Sequence, residues 1–97
     1  MQCLSIKMVQ ANLIISGKVQ GVFYRASCQE AAMRLGLKGW VKNLPTSQVE
    51  VLVQGEKEKI EKLIAWCKKG PSGAKVTDIN VGWLDSERDF SSFEVVI

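Results

Sequence analysis

Apolar positions change their spacing repeatedly along the chain, and each change predicts an element. From Val9 to Ser16 apolar and β-branched residues run almost without a break, which fits a strand buried on one face and partly covered on the other. From about Phe23 to Leu35 the period becomes helical. Cys28, Ala31, Ala32 and Leu35 fall on one stripe, with Gln29, Glu30 and Arg34 on other faces, and Gly36 is suited to end the helix. Leu37 to Asn43 alternates, placing Leu37, Gly39, Val41 and Asn43 on one face and Lys38, Trp40 and Lys42 on the other. Leu44-Pro45-Thr46-Ser47 forms a turn, and Val49, Val51 and Val53 resume the two-residue period, so this segment predicts a hairpin.

Glu56 to Lys69 reads as a second helix, with Ile60, Leu63, Ile64 and Cys67 on its apolar stripe. Its acidic residues lie early and Lys68 and Lys69 late, an arrangement that opposes the helix dipole. After Gly70-Pro71 the pattern turns strand-like again: Ile79, Val81 and Trp83 alternate with Asp78, Asn80 and Gly82. A polar loop covers 85–89, and Phe93, Val95 and Ile97 alternate through the last residues. The order β-α-β-β-α-β-β predicts an α+β, ferredoxin-like split βαβ sandwich: an antiparallel sheet with both helices on one face, extended by an extra C-terminal strand. We expect a single domain over 9–97, preceded by a loosely ordered extension at 1–8.

Composition narrows the chemistry more than it narrows the fold. The chain has 97 residues and no histidine, so a His general base, a Ser-His or Cys-His pair and a His zinc ligand are all excluded. Thirteen basic against ten acidic residues give a net charge of +3. This mild excess suits a small anion, and the lysines are too dispersed for the basic stripe of a nucleic-acid binder. Cys3, Cys28 and Cys67 show no paired spacing and point to a reducing compartment; Cys28 reads as a buried hydrophobe. Met1 to Met8 has neither the apolar core nor the basic leader of a signal peptide, so a cytoplasmic location is expected. No metal-ligand spacing is present, and no cofactor is expected.

The candidate chemistry lies where the first strand gives way to the first helix. Gly17-Lys18-Val19-Gln20-Gly21-Val22 has two glycines that allow successive backbone N–H groups to turn inward, and a helix N-terminus adds unpaired donors. Arg25 contributes a planar cation matched to two oxygens of a phosphoryl group. Asn43 ends a strand that could reach the same edge, and its amide can hold a water without acting as a base. Hydrolysis without a base suits a substrate with a good leaving group. An acyl phosphate, which expels a carboxylate, is such a substrate.

Two spaced motifs sharpen this picture. Gly17-x-Val19-Gln20-Gly21-Val22-x-Tyr24-Arg25 and Gly39-Trp40-Val41-x-Asn43, followed by Val49 and Gly55, resemble the paired signatures of the acylphosphatase family over the chain from about Leu13 onward. Ser47 stands where that family's pattern has glycine. The resemblance implies metal-independent hydrolysis of acyl phosphates, with Arg25 binding the phosphate alongside the backbone of Lys18, Val19, Gln20, Gly21 and Val22, and Asn43 orienting the attacking water. It also leads us to expect a monomer with small-molecule acyl phosphates as partners, phosphate or sulfate as a product-like ligand, and neither nucleic acid nor membrane. Two other readings of the same layout are a catalytically silent anion-binding module and an RNA-binding ferredoxin-like domain, the latter weakened by the lack of an aromatic-rich strand.

Overall fold

A computed structural model of the protein describes residues 8–85 and 90–96. The elements follow the expected order: β1 (Met8–Lys18), α1 (Tyr24–Arg34), β2 (Lys38–Asn43), β3 (Val49–Glu56), α2 (Lys57–Lys69), β4 (Lys75–Asp85) and β5 (Phe93–Val96). The expected loose N-terminal octet lies outside the described residues except for Met8, which opens β1. Cys3, the polar loop at 86–89 and Ile97 also lie outside them. β1 and β4 are longer than their apolar alternation indicates. Their ends pair with each other, Ser16 with Asp78 and Lys18 with Lys75, because a backbone ladder continues where side chains no longer alternate.

The strands lie in the order β4-β1-β3-β2-β5. β1 to β4 pair antiparallel, as expected, but β5 joins β2 in parallel. The all-antiparallel expectation is therefore corrected at this last strand. β4 ends at one edge of the sheet, and the chain crosses to the opposite edge before it returns, so it runs in the same direction as β2. Phe90 marks the crossing, its N–H donating to Gln54 Oε1 at 3.2 Å.

Both helices cover one face of the sheet, α1 over β2 and β5, and α2 over β1, β3 and β4. Strand alternation explains why. Ala11, Leu13 and Ile15 of β1, Val41 of β2 and Val49, Val51 and Val53 of β3 point to that face and are fully buried with Cys28, Ala32, Ile60, Leu63 and Cys67 from the helices. Burial of such side chains, at about 1.5–3 kcal/mol for each large one, is the main force holding the layers together. The other face is polar across its centre: Asn12 Nδ2 donates to Glu50 Oε2 at 2.9 Å, and Lys42 Nζ lies 3.9 Å from Glu50 Oε1 and over the Trp40 ring. A carboxylate paired at mid-sheet makes a poor base-stacking surface.

Tyr24 lies between the helices. Its hydroxyl donates to the Cys67 carbonyl at 2.8 Å and its ring centroid is 5.5 Å from that of Trp66. Trp66 is thus a packing residue. A hydrogen bond to Cys67, followed by burial, holds the Cys28 thiol well above its ordinary value of 9.0, and burial raises the Tyr24 hydroxyl above its ordinary 10.0. Both groups are therefore neutral in the fold at pH values where the unfolded chain has begun to lose their protons. Stability is complete below the unfolded thiol value and falls as pH rises through and above about 9, by up to about 1.4 kcal/mol per pH unit for each group. Denaturant titrations at stepped pH are expected to show this decline, with a shallower slope for Cys28→Ala.

The β2–β3 turn carries the departure at Ser47. Its φ is 74°, a left-handed conformation in which a β-carbon is crowded. Replacing that side chain by hydrogen removes the crowding, although it adds freedom to the unfolded chain. Ser47→Gly is expected to stabilise the protein by about 0.5 kcal/mol net, read as a higher thermal midpoint.

Candidate active site

The pairing directions bring several chain segments to one end of the sandwich. β1, β2 and β5 run the same way, so Lys18, Asn43 and Val96 terminate at a common edge where α1 begins. A cleft of about 310 Å³ opens there, lined by Val19, Gly21, Phe23, Tyr24, Arg25, Ala26, Asn43 and Val95. Among the described residues, Arg25 is the one charged residue in this lining. The first turn of α1 contains no acidic residue, and no side chain caps it, so its leading N–H groups and the Arg25 guanidinium give the cleft a positive character.

Arg25 is half-buried and fixed from one side. Its Nη1 donates to the Val96 carbonyl at 3.2 Å, and one turn later Gln29 Nε2 donates to the Phe93 carbonyl at 2.9 Å. β5 therefore anchors the start of α1. Asn43 lies on the helix-facing side of β2, in phase with Val41. Its Oδ1 is buried, with no hydrogen-bond partner among the described residues. A buried amide oxygen rarely goes unpaired in a folded protein, so a donor from water or ligand is the natural complement.

Of the positions singled out in the sequence, Val19, Gly21, Arg25 and Asn43 line the cleft. Lys18, Gln20 and Val22 do not. Lys18 closes β1 against Lys75, and Val22 is half-buried against the core. The Gln20 side chain turns away and donates through Nε2 to the carbonyls of Leu44 and Gln48, both at 2.8 Å. Gln48 in turn donates to Ser16 Oγ at 2.8 Å and accepts from Thr46 Oγ1 at 2.7 Å. These bonds staple the loop after β1 to the turn that follows Asn43. The sequence pattern does not predict this staple, because residues 20 and 48 become neighbours only when β1 and β2 end at the same edge.

One expectation about the loop changes. Gly17 lies within β1, at a register shift where it pairs with Val76, so the loop proper starts after Lys18. Trp40 points with Lys42 to the face of the sheet opposite Asn43, as the alternation of β2 implies. Phe23 is a residue the sequence reading missed. It caps α1 in a left-handed conformation, φ 61° and ψ 25°, with its ring largely exposed at the cleft. Among the described residues, no group of three or more His, Cys, Asp or Glu is arranged to hold a metal ion, and no helix is long and apolar enough to cross a membrane.

Comparison with known proteins agrees with this fold. The acylphosphatase family model matches residues 11–95. An acylphosphatase of Anaeromyxobacter dehalogenans is 44% identical over 87 residues, which cover 90% of this chain and 94% of that protein. Among solved structures, the acylphosphatase from Bacillus subtilis superposes with a TM-score of 0.89 at 35% identity, covering 92% of this chain and 99% of its own. That from Coxiella burnetii gives 0.88 at 40% identity, covering 93% and 94%. The matched span contains β1 from Ala11, the loop, Arg25, the hairpin with Asn43 and β5 as far as Val95, and on these grounds the chain belongs to the acylphosphatase family.

Proposed function

We propose that this acylphosphatase hydrolyses the carboxyl–phosphate bond of small acyl phosphates by in-line attack of a water held by Asn43 on a phosphoryl group held by Arg25 and the loop backbone between Lys18 and Val22. The observation that carries the reading is the convergence at one cleft of a lone guanidinium, an uncapped helix start and a buried, unpartnered amide oxygen. Arg25 and the backbone N–H groups bind the phosphoryl oxygens and counter the charge that spreads over them in the transition state. Asn43 Oδ1 accepts a hydrogen bond from the water and turns its lone pair toward phosphorus. The new P–O bond forms as the bond to the acyl oxygen breaks, and its electron pair leaves on the carboxylate. The water's proton passes to a phosphoryl oxygen. A carboxylate leaves without protonation at neutral pH, so the site needs no acid.

Free, buried Cys28 and Cys67 support a reducing, cytoplasmic setting. The test is hydrolysis of acetyl phosphate by the purified protein in ¹⁸O-labelled water with excess EDTA. Label recovered in inorganic phosphate is the expected result. Label in acetate would mean attack at the carbonyl carbon, and no turnover with phosphate still bound would leave an anion-binding module.

A further inference from the structure

Phe23 has two features that a folded chain ordinarily avoids. Its side chain is 83% exposed, the highest value among the large apolar residues exposed in the described structure, and its backbone is left-handed at φ 61° although it is not glycine. Each is unfavourable by itself: a β-carbon crowds the backbone in that region, and an exposed aromatic ring gains nothing from burial. Glycine or asparagine would take the same conformation with less strain and no apolar surface in water. Strain of this kind is informative where it coincides with a site, and here Phe23 lines the same cleft as Arg25 and Asn43.

The cleft has two chemical ends. Arg25, Asn43 and the start of α1 are suited to the phosphoryl group. Ala26, Val95 and Phe23 add an apolar surface that a phosphoryl group has no use for. In an acyl phosphate, the atoms next to the phosphoryl group are the carboxyl group and then the acyl chain. Resting on the acyl phosphate reading above, we propose that Phe23 is a specificity-determining residue whose ring packs against the acyl group, so that the enzyme favours acyl phosphates with an aromatic or branched apolar acyl chain over acetyl phosphate. The left-handed backbone turns the ring toward the cleft mouth instead of into the core, and the exposed ring becomes buried only when such a substrate is bound.

The test compares kcat/KM for benzoyl phosphate and acetyl phosphate in the wild type, Phe23→Gly and Phe23→Asn. Both replacements accept the left-handed backbone, so thermal midpoints equal to or above the wild type's are expected, and the comparison is made between folded proteins. The ratio of benzoyl to acetyl kcat/KM is expected to fall about tenfold in both variants, the scale of losing part of an aromatic contact. A ratio within about twofold of the wild type's, including an equal loss with both substrates, would overturn the inference while leaving the hydrolysis reading intact. Absence of turnover with both substrates in the wild type would instead overturn the hydrolysis reading, and the inference with it.

Discussion

Arg25→Ala is expected to lower kcat/KM for acetyl phosphate by on the order of 10²- to 10³-fold or more, with little change in thermal stability. Among the described residues, Arg25 is the one charged side chain lining the cleft. Losing it leaves only backbone dipoles to counter a phosphoryl group whose charge spreads over its oxygens in the transition state. Stability changes little because the guanidinium is half-buried and makes a single 3.2 Å bond to the Val96 carbonyl near the surface. Arg25→Lys isolates geometry from charge. Its ammonium keeps the charge but loses the planar fork, so an intermediate rate is expected. Steady-state kinetics with a thermal melt on the same preparations reads both quantities. Activity of Arg25→Ala within tenfold of the wild type would remove the guanidinium from the mechanism.

The second large effect concerns folding. Gly17→Ala is expected to destabilise the protein by about 3 kcal/mol or more, from overpacking added to left-handed strain. A β-carbon at position 17 would lie 2.1 Å from the Lys75 carbonyl oxygen and 2.8 Å from the Thr77 nitrogen. Both atoms belong to the β4 backbone, held in the ladder with β1, so neither can move aside cheaply. The φ of 122° adds strain of its own. Gly21 is the useful contrast. Its φ is 76°, but a β-carbon there meets nothing within 4 Å, so Gly21→Ala incurs only the conformational term, about 1 kcal/mol. At about 4–8 °C per kcal/mol for a domain of this size, Gly17→Ala should lose more than 12 °C of thermal midpoint and Gly21→Ala well under 10 °C. Equal losses would mean that the close approach of β1 and β4 is not what requires glycine at position 17.

This contrast also indicates how much of the fold and site was legible in the sequence. The layers were legible because burial follows period: Leu13 and Ile15, Val49, Val51 and Val53, and Ile60 with Leu63 all face the core as their spacing implies. The left-handed turn at Ser47 was legible as a departure from a motif, and its φ of 74° explains what the departure costs. Arg25 and Asn43 were singled out by residue chemistry and motif, and the fold brings them to one cleft.

What was not legible depends on which segments become neighbours. The alternation of Phe93 and Val95 marks a strand without naming the strand it pairs with, so neither its parallel union with β2 nor its grip on Arg25 and Gln29 could be read. The two glycines of the first motif look equivalent in sequence, yet one relieves a backbone contact with β4 and the other shapes the loop. Gln20 looked like a backbone contributor to phosphate binding. Its side chain has a separate task, tying the loop to the turn after Asn43, because a glutamine Nε2 can donate to two carbonyls at once. Phe23 was passed over since its position carries no motif identity, and only its backbone angle and exposure set it apart.

The division of labour between Arg25 and Asn43 is the central claim, and product affinity tests it most directly. Inorganic phosphate binding, measured by isothermal titration calorimetry, is compared across the wild type, Arg25→Ala and Asn43→Ala, with acetyl phosphate turnover recorded alongside. If Arg25 holds the phosphoryl group and Asn43 only the water, Asn43→Ala loses turnover on the order of 10²-fold or more yet binds phosphate within about threefold of the wild type, whereas Arg25→Ala loses both. Loss of phosphate affinity in Asn43→Ala to the same extent as in Arg25→Ala, or wild-type affinity in Arg25→Ala, would contradict the account.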